Sequence, residues 1–280
     1  MKRCFRGVYR LLKAMVNDPR GFAHVVNTVS TVCSAYSFSR TYPYTIQEAE
    51  GSVSSSINPL GEYFQNHKVG RGIWKWEHYF DIYHRHFAQF VGHKVNVLEI
   101  GVYSDGSLEM WRSYFEEKSH IYGVDIDESC KAYDNDHTSI FIGDQADRAF
   151  WSSFRKSVEG IDILIDDGGH TPKQQQVTLE EMLPYLRPGG VYLCEDVHGC
   201  FNRFSAFATG LVYELNNMHG IPDQSNVSQF QSSIHSIHLY PYLIIIEKHC
   251  VPPRKLSAVK HGTEWQPGFS EDHAEAGRGE

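Results

Sequence analysis

The chain has 280 residues, of which 41% are hydrophobic and 13% aromatic, and this is typical of a globular, soluble protein with one main core and a small appendage. Its net charge of −8 argues against nucleic acid as the main partner. The six cysteines have no CxxC spacing, so we predict a reducing, cytoplasmic environment and no zinc site. We also expect no secretion signal and no transmembrane segment, because the apolar runs are short or broken.

The first 60 residues are predicted to form a basic helical extension followed by a linker. Residues 1–42 carry seven lysines and arginines against one aspartate. Residues 1–35 predict one or two amphipathic helices, because apolar residues recur at helical spacing up to Met15, and Asp18 and Pro19 end that pattern. Residues 36–58 are rich in Ser, Tyr and Thr, which predicts a linker or a flexible lid. Two interpretations stay open. The helix packs on its own domain or on a second subunit, which we favour, or it makes a peripheral membrane contact or docks a partner.

Residues 60–90 are rich in aromatic side chains and histidines, and they predict an aromatic helix that covers one end of a sheet. His84 and His86 stand two residues apart, so they do not share a helix face. No histidine pair here has the i, i+4 spacing of a helical metal site. This stretch is therefore expected to contribute packing and part of a substrate pocket, not metal ligands.

From residue 95 onward, strands and helices alternate, which is typical of a parallel sheet in an α/β fold. The predicted strands span 95–100, 121–124, 139–142, 161–165 and 191–194, and the predicted helices span 108–117 and 171–186. The second helix has clear start signals, with Thr171 as N-cap, Pro172 in the first turn and Gln174 three residues after the cap. Residues 234–239 and 242–247 are predicted as an antiparallel pair that closes the sheet, and residues 251–280 as a disordered acidic tail.

A glycine loop follows the first predicted strand, at residues 98–107 (LEIGVYSDGS). Gly101 would let the backbone approach a ligand, and the helix that follows would present its N-terminus to partly anionic groups. The loop lacks the GxGxxG spacing of a nicotinamide site. Glu99, two residues before Gly101, points instead to the ammonium of S-adenosylmethionine (SAM).

The next two strands each end in an acid. Asp125 could accept hydrogen bonds from both ribose hydroxyls of SAM, and Asp144 could meet its adenine amino group. Each acid alone could be an ordinary helix cap or loop residue. Three successive strands that end in a glycine loop, an acid and an acid form a much stronger pattern.

Two further strands end in acids and a histidine, at residues 161–170 (IDILIDDGGH) and 191–198 (VYLCEDVH). Ligands bind at the carboxyl edge of open parallel sheets, so these groups would meet at one rim. Carboxylates suit a hard divalent ion such as Mg²⁺, and a histidine can exchange a proton near neutral pH. The alternative for His170 is a helix N-terminal residue that hydrogen-bonds locally. His198 could support the site or touch the substrate.

Residues 62–200 resemble the class I SAM-dependent methyltransferases. More narrowly, they resemble the magnesium-dependent sugar O-methyltransferases of macrolide and aminocoumarin antibiotic pathways, with cephalosporin hydroxylase as a relative. The resemblance rests on the order and spacing of VLEIGV at 97–102, SLEMW at 107–111, IYGVDI at 121–126, GDQAD at 143–147, IDDGGH at 165–170, LRPGG at 186–190 and EDVH at 195–198. It implies a Rossmann-like, doubly wound, seven-stranded and mostly parallel sheet. Residues 1–60 and 199–233 have no match, so the acceptor is not implied, and a homo-oligomer stays one option.

In that family the second aspartate of the DDGGH motif and the later Glu-Asp pair hold Mg²⁺, and the histidine is the base. By this resemblance Asp167, Glu195 and Asp196 would be the metal ligands and His170 the base. We assign Asp166 to the support of the cofactor side and not to the metal. The cofactor-binding residues would then be Glu99, Gly101, Ser107, Asp125, Asp144 and Asp166.

The predicted function is Mg-dependent transfer of a methyl group from SAM to a hydroxyl of a sugar or glycosylated small molecule, in a domain that spans residues 61–250. Mg²⁺ on vicinal oxygens would lower the pKa of the hydroxyl, and His170 would take its proton. The first alternative is a cephalosporin-hydroxylase-like enzyme of the same fold, which product analysis would separate. The second is a non-catalytic member of a biosynthetic complex, against which the full set of metal-type acids argues.

Overall fold

The computed structural model describes residues 12–13, 15–42, 58–199, 202–218, 225–259 and 261–262. The chain divides into two compact units, Met1–Ser55 and Ser56–Glu280. In the first unit, helix α1 (Pro19–Arg40) has mostly exposed side chains where they are described. The described helical residues break at Asp18, as predicted, and Pro19 begins α1, as proline at a first helical position often does. The predicted start of the linker at residue 36 was wrong, because residues 36–40 belong to α1. Residues 43–57 of the predicted linker lie outside the described residues. None of the described helices combines the length and apolar character needed to cross a membrane.

The second unit contains the predicted alternation of strands and helices. Its described strands are β1 (Asn96–Ile100), β2 (His120–Asp125), β3 (Thr138–Ile142), β4 (Ile161–Asp166), β5 (Leu186–Cys194), β6 (Ser225–Asn226), β7 (Ile234–Tyr240), β8 (Leu243–Lys248) and β9 (Lys255–Leu256). Its described α-helices are α2 (Pro59–Asn66), α3 (Tyr79–Phe87), α4 (Gly106–Phe115), α5 (Arg148–Ser157), α6 (Pro172–Met182), α7 (Arg203–Leu215) and α8 (Gln229–Ser233). The capping box predicted from Thr171 and Gln174 is present at the start of α6.

Seven strands form one sheet in the order β3-β2-β1-β4-β5-β8-β7. The first five are parallel, and β8 and β7 run antiparallel, so the predicted Rossmann-like sheet with its closing pair is confirmed. Two local predictions were wrong. Residues 187–190, which the sequence predicts to stop the preceding helix and turn into the strand, form the start of β5, and β9, within the predicted disordered tail, pairs with β6. Residues 260 and 263–280 of that tail lie outside the described part of the chain.

The sheet is buried on both faces by two apolar clusters. In β1 the side chain of Val97 joins one cluster and that of Leu98 joins the other, as the alternation of a strand requires. Helices α2, α3 and α4 cover the first face with a largely aromatic layer, and α5, α6 and α7 cover the second. The aromatic stretch at 60–90 is therefore two helices on a face of the sheet, not one helix at its end. Residues 67–78 connect them.

The strand register brings the predicted site residues to one level at the carboxyl edge of the sheet. Ile100 at the end of β1 is paired with Val124 on one side and with Asp166 on the other, and Asp166 is paired with Cys194. The residues that follow these positions therefore emerge side by side. Since β1 lies between β2 and β4, the chain order reverses here, and this is where ligands bind in such sheets.

Candidate active site

The loop after β1 turns sharply at Gly101, which has a φ of +91°. A Cβ at this position would lie 2.2 Å from the carbonyl oxygen of Asp167, so the two loops approach more closely than any side chain would allow. Asp125 then fixes the loop, because its Oδ2 accepts hydrogen bonds from the backbone N–H groups of Val102 at 2.8 Å and Tyr103 at 3.0 Å. Its Oδ1 accepts another from the N–H of Asp127 at 2.9 Å. The ribose contact proposed for Asp125 stays a prediction, to which the structure adds this loop-shaping role.

A cavity of about 430 Å³ opens at this edge of the sheet. It is bordered on one side by the glycine loop and on another by residues 167–170 after β4. Six of the predicted site residues line it: Gly101, Ser107, Asp125, Asp144, Asp167 and His170. Asp144 uses one carboxylate oxygen to accept from the N–H of Ala146 at 2.7 Å, so its proposed adenine contact would use the remaining capacity.

Lys75, which the sequence analysis did not single out, lies at the centre of the carboxylate group. Its Nζ is 2.6 Å from Asp167 Oδ2, 2.9 Å from Glu195 Oε1 and 3.1 Å from Glu99 Oε1. Burial alone lowers the pKa of an ammonium, but the three carboxylates outweigh burial and hold the pKa of Lys75 well above its usual value. Lys75 therefore joins β1 to the loops after β4 and β5 through one fixed positive charge.

Glu99 faces inward and is fully buried. One of its oxygens accepts from Lys75 and the other from the Ser107 hydroxyl, at 2.8 Å. Burial raises the pKa of Glu99, while Lys75 and Ser107 oppose that rise. The predicted contact of Glu99 with a cofactor ammonium stays a prediction, and the structure gives Glu99 a direct role in holding Ser107 at the wall of the cavity.

Asp167, His170 and Asp196 converge at the rim of the site. His170 Nε2 lies 3.8 Å from Asp167 Oδ1 and 3.7 Å from Asp196 Oδ2, and one ligand atom from each residue lies within 4.8 Å of the others. His170 Nδ1 is buried and has no hydrogen-bond partner among the described residues. Two carboxylates that each present an outward oxygen fit a hard ion such as Mg²⁺.

The second carboxylate oxygen of Asp167 and of Asp196 accepts hydrogen bonds from neighbouring side chains. Asp167 Oδ2 accepts from Lys75, and Asp196 Oδ1 accepts from the indole N–H of Trp76 and the hydroxyl of Tyr79, both at 3.0 Å. His170 and Asp196 have φ values of 54° and 53°, a left-handed conformation that costs energy for residues other than glycine and is concentrated at functional sites. The loops after β4 and β5 therefore adopt an unfavourable backbone conformation at the two residues whose side chains meet at the rim.

Two predicted site residues lie deeper than expected. Glu195 is buried, and its Oε1 accepts from Lys75 and from the Tyr83 hydroxyl at 2.7 Å, so its carboxylate faces the interior while Asp196 faces the rim. Asp166 is also buried, accepts from the Gln145 amide at 2.8 Å and does not line the cavity. Burial raises the pKa of Asp166 to about 6. The metal role of Glu195 stays a prediction, and for Asp166 the geometry allows a cofactor role only through the loop that it supports.

Aromatic side chains surround the mouth of the site. Trp74 and Tyr103 line the cavity and are 92% and 83% exposed, so most of their ring surface is available to a ligand. On the side of Asp196, the rings of Trp76 and Tyr242 lie 5.3 Å apart, and His198 stands edge-on to Tyr242 at 6.0 Å. The part that His198 plays in the site stays a prediction.

Comparison with known proteins relates this domain to methyltransferases. A family model described as a methyltransferase domain matches residues 98–197. Over 220 residues the chain is 33% identical to mycinamicin VI 2''-O-methyltransferase of Micromonospora griseorubida, covering 71% of this chain and 54% of that protein. It is 29% identical over 219 residues to demethylmacrocin O-methyltransferase of Streptomyces fradiae, with coverage of 70% and 54%. The chain thus spans about half the length of these relatives.

A solved structure of the MycE methyltransferase of the mycinamycin biosynthetic pathway, in complex with Mg, S-adenosylhomocysteine (SAH) and mycinamycin VI, superimposes with a TM-score of 0.59. The two chains are 25% identical, and the match covers 79% of this chain and 58% of that chain. A second MycE structure, with Mg and SAH, has a TM-score of 0.54 at 27% identity and covers 69% of this chain and 54% of that chain.

Proposed function

We propose that this chain transfers a methyl group from SAM to a hydroxyl of a sugar in a glycosylated small molecule, assisted by Mg²⁺, because it carries a methyltransferase domain related to the macrolide sugar O-methyltransferases. The observation that carries the proposal is the convergence of Asp167, His170 and Asp196 beside the cavity that Gly101 and Asp125 border. Donor and acceptor could then meet at one place.

The charges around the cavity support a cationic donor. Among the described residues, Asp125, Asp144 and Asp167 line the cavity with one ammonium, that of Lys75, so acidic side chains outnumber basic ones there. SAM presents an ammonium and a sulfonium, and both would be favoured beside unbalanced carboxylates. Asp125 would shape the loop that cradles the donor while it offers hydrogen-bond acceptors to it.

His170 would act as the base on the acceptor. Mg²⁺ held by Asp167 and Asp196, with Glu195 behind them, would supply Lewis acidity that lowers the pKa of a sugar hydroxyl. The imidazole would take the hydroxyl proton on a ring nitrogen, and the two carboxylates facing Nε2 would stabilise the resulting imidazolium. The sugar oxygen then forms a bond to the methyl carbon as the bond from that carbon to sulfur breaks. Exposed aromatic rings such as Trp74 would pack against the acceptor.

The first test is calorimetric titration with SAH, with and without Mg²⁺, followed by methyl-transfer assays on glycosides. We expect micromolar SAH binding, roughly −8 kcal/mol. Asp167→Ala and His170→Ala should abolish transfer and leave SAH affinity largely intact, whereas His137→Ala, at an exposed histidine that does not line the cavity, should change neither. Absence of SAH binding in the unmodified protein would refute the proposal. SAH binding without transfer, or loss of SAH affinity in both variants, would refute the roles given to these residues.

A further inference from the structure

A second group of metal-type side chains lies away from the candidate active site. His86 on α3, His238 on β7 and Glu247 on β8 each offer one ligand atom within 4.8 Å of the others. His86 Nδ1 is 2.6 Å from Glu247 Oε1, and His238 Nε2 is 3.5 Å from Glu247 Oε2. Two imidazole nitrogens thus approach the two oxygens of one carboxylate, and none of the three residues lines the active-site cavity.

Regular secondary structure holds this group in place. Glu247 is paired with Ser236 across the two strands, and His238 follows Ser236 by two residues, so both side chains of β7 lie on the face that Glu247 shares. His86 approaches the same point from the helix that covers this face and is almost fully buried. A group built from three rigid elements keeps its geometry better than one built on loops.

Further polar groups surround the three residues as they do around metal ligands. The Nε2 of His86 is 3.0 Å from the Tyr240 hydroxyl, which would fix the ring so that Nδ1 faces Glu247. The Ser236 hydroxyl lies 2.9 Å from both Glu247 Oε2 and His238 Nε2, so it contacts two ligand atoms directly and would exchange these hydrogen bonds for a bound ion. Histidine ligands are commonly oriented by a partner on their other nitrogen.

The charge and access of the group also suit a cation. The ion-pair partners of Glu247 among the described residues are the histidines His86, His235 and His238, so no lysine or arginine there neutralises this carboxylate. His238 is one-third exposed and gives a way in from solvent. His235, whose side chain is exposed, has its Nδ1 3.8 Å from Glu247 Oε2 and is a candidate fourth ligand.

We propose that His86, His238 and Glu247 form a second metal site that takes Zn²⁺ or a similar borderline divalent ion. Two imidazole nitrogens and one carboxylate oxygen are a ligand set typical of zinc, whereas Mg²⁺ prefers oxygen ligands and would stay with Asp167 and Asp196. Cysteine spacing and helical histidine pairs, the sequence signals for zinc, do not include a ligand set split between a helix and two strands, so the sequence predicts no zinc site here. Bound metal would link α3 to the outer strand pair of the sheet.

The test is titration of the full chain with Zn²⁺ while Mg²⁺ is present in large excess. We expect one equivalent of Zn²⁺ to bind. His238→Ala should weaken Zn²⁺ binding at least about tenfold, because removing a residue that only orients a metal ligand already costs about that much, and His238 would be a ligand itself. His120→Ala removes a part-buried histidine that bonds Ser139 outside the group, and it should bind Zn²⁺ like the unmodified protein. Asp196→Asn should also retain binding, because it alters only the other group.

Several outcomes would overturn the proposal. These are no Zn²⁺ binding in the unmodified protein, equal binding in His238→Ala, or loss of binding in Asp196→Asn but not in His238→Ala. Circular dichroism will check that His238→Ala folds, and Glu247→Gln gives a second variant that keeps the side-chain shape. Co²⁺ in place of Zn²⁺ gives an independent readout, since a low-coordinate nitrogen and oxygen site produces strong visible absorption that His238→Ala and Glu247→Gln should remove.

Discussion

Replacing Lys75 with methionine would keep most of the side-chain volume and remove one buried positive charge from the centre of the site. Three carboxylates, those of Glu99, Asp167 and Glu195, would lose a partner now within 3.1 Å. Removing one member of a buried ion pair typically costs 3–5 kcal/mol, because the remaining charge stays buried and uncompensated. We therefore expect the free energy of unfolding of Lys75→Met at neutral pH to be lower by about 3 to 5 kcal/mol.

The pH dependence gives this prediction a sharper form. Burial raises the pKa values of both Glu99 and Glu195 above the usual 4.5, so protonation favours the folded state and stability falls as pH rises through the raised values. Without Lys75 these glutamates should hold protons to still higher pH. The deficit of Lys75→Met should therefore shrink as pH falls from neutrality toward the usual glutamate pKa.

Urea unfolding curves at several pH values will measure the effect of Lys75→Met. Lys131→Met is the matched control, because Lys131 pairs with Asp134 in an exposed ion pair worth at most about 1 kcal/mol. The predicted role of Lys75 would be refuted if Lys75→Met lost no more stability than Lys131→Met, or if the loss of stability in Lys75→Met were the same at all pH values.

Three further predictions concern the loops of the site. Asp125→Ala removes the acceptor for three backbone N–H groups and should weaken SAH binding at least about tenfold, or 1.4 kcal/mol by calorimetry; unchanged affinity would contradict its role. In the unmodified protein, the raised pKa of Asp166, about 6 against an ordinary 3.8, should lower the free energy of unfolding by about 3 kcal/mol between pH 4 and 7. Asp166→Asn should abolish this pH-dependent loss. Parallel pH profiles of the two proteins in urea unfolding would refute the prediction. Gly101→Ala should abolish SAH binding, since its Cβ would lie 2.2 Å from the Asp167 carbonyl oxygen, whereas Gly210→Ala, with open space around it, should leave SAH binding unchanged.

Much of the fold and the rim of the site could be predicted because their determinants are local. Alternating apolar residues set the strands, the capping signals at Thr171 set the start of α6, and parallel pairing then forces the strand ends to one edge. This shared edge brings Asp167, His170 and Asp196 close together. The errors at 36–40 and at 187–190 concern element boundaries, where the same residues are compatible with two local structures.

The central cation and the second histidine group could not be predicted because their partners are distant in sequence. Lys75 lies 24, 92 and 120 residues from its three carboxylates, and no spacing rule connects them. The same applies to His86 and Glu247, which are 161 residues apart. Tertiary packing of α3 and the 67–78 segment against the sheet creates both groups, so only the structure could reveal them.

The arrangement of Lys75 also explains why Glu195 and Asp196, adjacent in sequence, face different environments. Glu195 turns inward to Lys75 and Tyr83, while Asp196, in a left-handed conformation, turns outward to the rim beside His170. Asp167 connects the two environments, with one oxygen on Lys75 and the other toward His170. A change in the charge at Lys75 would therefore reach the rim through Asp167. For this reason the affinities of Lys75→Met for Mg²⁺ and for SAH, measured separately, would show whether the buried cation serves only stability or also sets the ligand oxygens of the site.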